Sequence, residues 1–230
     1  MRDLRGDLGN AWRAISRLTS AEGHGRCVML VSARDGEGTT SVAGSIALMA
    51  ARRAQKKAWL VDLDLRRNAS FKAFERGFAK HVGQPGRAFD ASLQQDQIYS
   101  VIPSIATRSA QKLLTAHEIP DTQLLVTRFR NEHLTKGQRV QIRTQPEWWR
   151  SLRQIADWVI VDTPSLERSP AALAAASQMD GIFIIVEADR TNAEDVVAVR
   201  RELEAHGGDV RGLIMNRIGS DARFVDRFAG

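Results

Sequence analysis

Cysteine, tyrosine and proline are scarce in this chain of 230 residues: one cysteine, Cys27, one tyrosine, Tyr99, and six prolines. A single thiol excludes an intrachain disulfide and a cysteine-based metal cluster, and it fits a reducing compartment, so a cytoplasmic location is expected. No apolar run approaches the roughly 20 residues of a membrane-spanning helix, and the N-terminal segment lacks the apolar core of a secretory signal. Membrane attachment is therefore expected to be peripheral. The histidines are scattered without metal-ligand spacing, and no serine has a histidine and a carboxylate set in sequence to activate it, which leaves acyl transfer unsupported.

What is present is enough for one α/β core. Of the residues 43% are hydrophobic, and the length falls within the range of a single domain. Basic residues outnumber acidic ones by 33 to 27, and the excess gathers in the middle: Arg66, Arg67, Lys72, Arg76, Lys80 and Arg87 face only Glu75, with a similar bias from Arg128 to Arg153. Such a field would attract anionic lipid, nucleic acid or an acidic partner; the plainer reading is a solvated face.

Short apolar runs rich in branched residues predict buried parallel strands at Cys27 to Ser32, Ala58 to Leu63, Trp158 to Asp162, Gly181 to Val186 and Val210 to Met215. Helical patterns lie between them, at Ser41 to Arg53, Ala172 to Gln178 and Asn192 to Ala205. The alternation predicts a doubly wound, mainly parallel sheet with helices on both faces. Residues 1–24 read as an N-terminal amphipathic extension, with Leu8, Trp12, Ile15 and Leu18 on one stripe, and 25–230 as the domain proper. An insert at about 70–147 is poorly patterned: Ile98 to Ile102 and Gln123 to Val126 read as additional strands and Gln111 to His117 as a helical turn. Trp148 and Trp149 read as a helix start, and Phe224, Val225 and Phe228 as a short terminal apolar cluster.

The decisive segment runs from Val31 through Arg34, Asp35, Gly36, Glu37, Gly38, Thr39 and Thr40 to Ser41, after a predicted strand and at the start of a predicted helix. Glycines at 36 and 38 let the backbone curl so that successive N–H groups point inward, and the helix adds its positive end, which together suit a phosphate. The P-loop pattern places lysine and then a hydroxyl residue after the last glycine. Here those positions hold Thr39 and Thr40, so the hydroxyl for magnesium is kept and the cation is not. Asp62 and Asp64 close one strand and Asp162 another, where carboxylates face the ligand crevice of open α/β sheets. The alternative for each aspartate is a turn or capping role.

These residues resemble the P-loop ATPases of the MinD/ParA type, and most closely the bacterial tyrosine kinases of capsule and exopolysaccharide synthesis. Asp35-Gly-Glu-Gly-Thr-Thr40 is similar to that group's Pro-Gly-Glu-Gly-Lys-Ser loop, Val61-Asp-Leu-Asp-Leu-Arg-Arg67 to its second acidic motif, and Val161-Asp-Thr-Pro164 to its Walker B motif. Ala188-Asp-Arg-Thr191 and Gly212-Leu-Ile-Met-Asn216 resemble two later segments. The resemblance implies ATP and magnesium as cofactors and Asp62 and Asp64 as catalytic carboxylates, Asp62 as the base. It implies magnesium held by Thr40 with Asp64 and Asp162, nucleotide contacts from Arg34 to Ser41, and a base contact from Asn216. Arg34 stands where the MinD/ParA type carries a second lysine that reaches across a dimer.

Three departures stand out: Thr39 at the lysine position, the absence of the kinases' C-terminal tyrosine cluster, Tyr99 being the only tyrosine, and Asn10, Arg13 and Ser16 where the kinases carry a Glu-x-x-Arg-x-x-Arg oligomerisation motif. The function implied is a kinase-like subunit regulating exopolysaccharide synthesis or export, a degenerate nucleotide-binding protein peripheral to the inner membrane. Its expected partner is an inner-membrane polysaccharide co-polymerase or export protein. Homo-oligomerisation is left open and nucleic acid is disfavoured. The alternatives are an active ATPase or protein-tyrosine kinase, and a positioning protein of the ParA/MinD type.

Overall fold

The computed structural model describes residues 1–20, 24–103 and 112–217. The Leu8 stripe forms a helix, α1 (Gly9–Ser16), which buries Trp12 and Ile15. It is followed by β1 (Arg26–Ser32), α2 (Thr39–Ala51), β2 (Ala58–Asp62) and α3 (Ala69–Glu75). The middle of the chain holds β3 (Ala88–Asp90), β4 (Tyr99–Ile102), β5 (Leu114–Glu118), β6 (Leu124–Phe129) and β7 (Arg139–Ile142). The remainder is α4 (Glu147–Ile155), β8 (Trp158–Asp162), α5 (Ala171–Ala175), β9 (Gly181–Glu187), α6 (Ala193–Ala205) and β10 (Val210–Asn216).

Eight strands form one sheet in the order β10-β9-β1-β8-β2-β6-β5-β3. The first six run parallel, and β5 and β3 add an antiparallel edge. The expected doubly wound, mainly parallel sheet is what the structure shows. One correction falls in the insert: Leu114–Glu118 is a strand paired with β6, so the helical turn expected at Gln111 to His117 does not form there. The antiparallel ladder buries Leu114 and Ala116 on one side while Thr115 and His117 stay half-exposed, a period of two that overrides the weak local preference. The strand expected at Ile98 to Ile102 exists as β4 but pairs with β7 in a separate ribbon. The cluster of Phe224, Val225 and Phe228 lies outside the described residues.

Alternation along each central strand divides the core. Cys27, Met29 and Val31 face one layer with Trp148, Trp149, Leu152 and Leu203, while Val28 and Leu30 face the other with Trp12, Ile15, Ile46, Phe71 and Phe74. Both faces of the sheet are thus covered by helices, as a parallel sheet requires. Burial pushes the Cys27 thiol up to about 12, so it packs as a small apolar side chain and is no nucleophile. A buried ion pair fixes the start of β1: Arg153 binds Asp180 and donates to the carbonyls of Gly25 at 2.9 Å and Gln178 at 2.6 Å, while Asp180 accepts the Cys27 N–H at 2.7 Å. The layers leave the C-terminal ends of β1, β8 and β2 side by side.

At α6 the Asn192 side chain accepts the Asp195 N–H at 2.8 Å, an N-cap that satisfies one of the helix's free donors. Asn192→Ala is expected to lower unfolding stability by about 1 kcal/mol, read as a shifted urea midpoint with an unchanged slope.

Candidate nucleotide-binding site

Between β1 and α2 the chain makes a tight turn whose shape depends on glycine. Gly36 and Gly38 have φ of +88° and +90°, a region costly for residues with a Cβ, and a Cβ on Gly38 would overlap Asn216 Nδ2. Two neighbouring elements clamp the turn. Glu37 is fully buried, accepting the Arg34 N–H at 3.0 Å on one oxygen and the Thr191 hydroxyl on the other. Asn216, at the end of β10, donates to the Glu37 carbonyl at 2.8 Å. The segments around Thr191 and Asn216 therefore brace the loop.

Opposite the loop lies a buried carboxylate pair. Asp62 and Asp162 are register partners on the parallel strands β2 and β8, each only 2% exposed. Asp62 accepts the backbone N–H groups of Asp64 and Ser70, both at 2.8 Å. Ser70 in turn donates its hydroxyl to Asp162 Oδ2 at 2.7 Å, and Asp162 Oδ1 has no hydrogen-bond partner. Burial, with the charge of Asp162 beside it, pushes the Asp62 carboxyl well above the usual range. Burial likewise raises Asp162, to about 6, with the Ser70 and Thr40 hydroxyls offsetting part of the effect.

A cleft of about 280 Å³ opens between loop and carboxylates. Asp35, Gly36, Gly38, Thr39, Thr40, Ser41, Asp64 and Asp162 line it. Four other residues named from sequence do not: Asp62 is buried outside it, Glu37 and Asn216 form the clamp, and Arg34 pairs with Asp195 of α6 at 2.8 Å. Thr39 is nearly buried, its hydroxyl donating to Ser32 Oγ at 2.9 Å. Among the described residues, the cationic side chains lining the cleft are those of Arg67, Arg168 and Arg217. Arg168 binds Asp64 through Nη2 and Asp35 through Nη1 at 2.6 Å, and Arg67 reaches Asp35 at 3.3 Å. Burial raises the Asp35 carboxyl, and the two arginines together outweigh it, leaving it below its ordinary range. Arg168 carried no sequence signal beyond being a basic residue downstream of the Asp162 motif.

A phosphate group bearing magnesium fits this arrangement. The αL glycines and the N-terminus of a 13-residue helix supply N–H donors, and the unpartnered Asp162 Oδ1 beside Thr40 offers oxygen for a hard cation. Among the described residues no three histidine, cysteine or acidic side chains converge to hold a metal alone. Magnesium does not need this, since it commonly takes one or two carboxylates and completes its shell with water and phosphate.

In sequence the chain is 22% identical over 200 residues to the tyrosine-protein kinase CpsD of Streptococcus agalactiae, an alignment covering 84% of this chain and 76% of that protein. In structure it matches the VpsO kinase domain with a TM-score of 0.63 and 20% identity over 94% of each chain. The MinD cell division protein of Aquifex aeolicus superimposes with a TM-score of 0.51 at 19% identity, over 89% of this chain and 73% of MinD. This is a MinD/ParA-like P-loop fold. No protein-family model matches the sequence. Thr39 opens α2 beside the cleft, whose lining includes Arg67, Arg168 and Arg217 from other segments. Among the described residues no helix is long and apolar enough to cross a membrane.

Beside the cleft, and sharing Asp64, Arg67, Pro164 and Arg168 with it, runs a larger groove of about 940 Å³ between the β4-β7 ribbon and α5. Its lining includes the apolar side chains of Leu63, Leu65, Val140 and Leu173 together with Arg66 and Arg139.

Proposed function

We propose that this chain is a kinase-like P-loop subunit of an exopolysaccharide synthesis or export system, binding nucleotide weakly and acting with a membrane-embedded polysaccharide co-polymerase. The observation that carries the reading is the cleft, in which glycine nest, helix N-terminus, Thr40 and Asp162 are retained while lysine is missing. Similarity to CpsD, a tyrosine-protein kinase, directs the reading toward that group.

ATP and magnesium are the expected cofactors. When bound, magnesium would neutralise charge on the phosphates; Thr40, Asp162 and Asp64 are the side chains to hold it, and the backbone N–H groups of residues 36 to 41 the donors for phosphate oxygens. The protein's own contribution is positioning and electrostatics. Asp62, with both oxygens occupied by backbone N–H groups, orients Asp64 and the start of α3. Turnover is expected to be slow, because phosphoryl transfer depends on positioned cations that the loop lacks. The partner's docking place in this reading is the 940 Å³ groove, whose Arg66 and Arg139 suit an acidic cytoplasmic segment and whose apolar side chains suit its apolar residues.

Co-purification in mild detergent tests the partnership. An inner-membrane co-polymerase is expected to be retained by the parent chain and to be retained several-fold less by the double substitution Arg66→Glu with Arg139→Glu. Absence of such a partner with the parent would remove the main support for the exopolysaccharide assignment.

A further inference from the structure

The P-loop lysine has no successor in the loop itself, and Arg34, the nearest arginine in sequence, is turned toward Asp195 on α6. Arg168 comes from the loop after β8 and lines the cleft. Its guanidinium is gripped at both ends, by Asp64 at the end of the β2 motif and by Asp35 in the P-loop turn, and it also lowers the pKa of Asp162 through space. One cation thus stands among carboxylates that three different segments bring to the same cleft. Its side chain remains about a quarter exposed, so it is open to a ligand entering there.

We infer that Arg168 is the phosphate-binding cation of this site, supplied from the β8 loop in place of the P-loop lysine, with Asp35 and Asp64 holding it over the cleft until phosphate oxygens take over one of its Nη groups. A guanidinium suits the task, since its planar donors meet two phosphate oxygens at once and it stays charged at every physiological pH. Asp64 is then freed from a strong ion pair and its carboxylate becomes available to the magnesium that accompanies the nucleotide. Arg168 Nη1 stays on Asp35, whose other oxygen Arg67 binds, so the guanidinium remains anchored to the loop while Nη2 turns to phosphate. The inference rests on the nucleotide-binding reading above and names the residue on which it depends.

The test is calorimetric titration with MgADP and, separately, with metal-free inorganic pyrophosphate. Arg168→Ala is expected to weaken both about ten- to a hundredfold, the effect of one charge-assisted bond, and Arg168→Lys to lose less. Thr39→Lys in the Arg168→Ala background is expected to restore affinity, because it returns a cation from the loop side. Thermal melts check that each variant is folded. If Arg168→Ala binds both probes as the parent does, Arg168 is not the phosphate cation, although the nucleotide reading stands. If the parent binds neither probe, this inference falls, and if Thr39→Lys fails to bind as well, the nucleotide reading falls with it.

Discussion

At pH 8, Asp162→Asn is expected to be more stable than the parent by roughly 3 kcal/mol, and the gain should close as the pH falls toward 4. The free aspartate carboxyl titrates near 3.9, whereas burial raises Asp162 to about 6 in the fold. Below about 4 the carboxyl is protonated both folded and unfolded, and no penalty exists. Between 4 and 6 the folded state binds the extra proton, so stability falls as pH rises, and above about 6 the full cost of an ionised buried carboxylate is present. A difference of about two units gives the stated size. The amide escapes this cost while its oxygen still accepts from Ser70.

Asp62→Asn sets two effects against each other. The amide escapes the cost of an ionised buried carboxylate, but both Asp62 oxygens accept backbone N–H groups, so its NH2 would face a donor at a cost of about 1 to 3 kcal/mol; its gain at pH 8 is expected to be smaller than that of Asp162→Asn, and at pH 4 only the loss remains. Urea unfolding of the two variants at pH 8 and pH 4 separates these outcomes. A loss of stability in Asp162→Asn at pH 8, or an equal gain at both pH values, would refute the electrostatic assignment.

Thr39→Lys is expected to raise affinity for MgADP by about one to two orders of magnitude. A charge-assisted hydrogen bond contributes about 1.5 to 3 kcal/mol net, which converts directly to that range. Thr39 sits at the first position of α2, lines the cleft and spends its hydroxyl only on Ser32, so its replacement removes one hydrogen bond. Titration of both proteins at fixed salt checks the gain. An unchanged affinity would mean that the loop no longer presents that position to phosphate.

Much of this architecture was legible in sequence because buried parallel strands read as apolar runs. Cys27 to Ser32, Ala58 to Leu63 and Trp158 to Asp162 fall on β1, β2 and β8 within about a residue, and the terminal aspartates came with them. The middle of the chain was less legible for the same reason. β3 is exposed throughout, β7 alternates between exposed and half-buried residues, and β5 shows only a short period of two, so none presents a continuous apolar run. The site divides along a similar line. Loop glycines and strand-end carboxylates have fixed spacing from regular elements and could be placed, whereas Arg168 reaches the cleft from an irregular loop whose path spacing does not determine. Arg34 was within reach on sequence distance, but Asp195 on α6 competes for it through a tertiary contact.

The central claim is that this cleft still binds a nucleotide without the P-loop lysine. Calorimetric titration of the parent chain with MgADP tests it most directly. The account predicts saturable binding that inorganic pyrophosphate competes away; no binding by the parent would contradict it, whether or not Thr39→Lys binds.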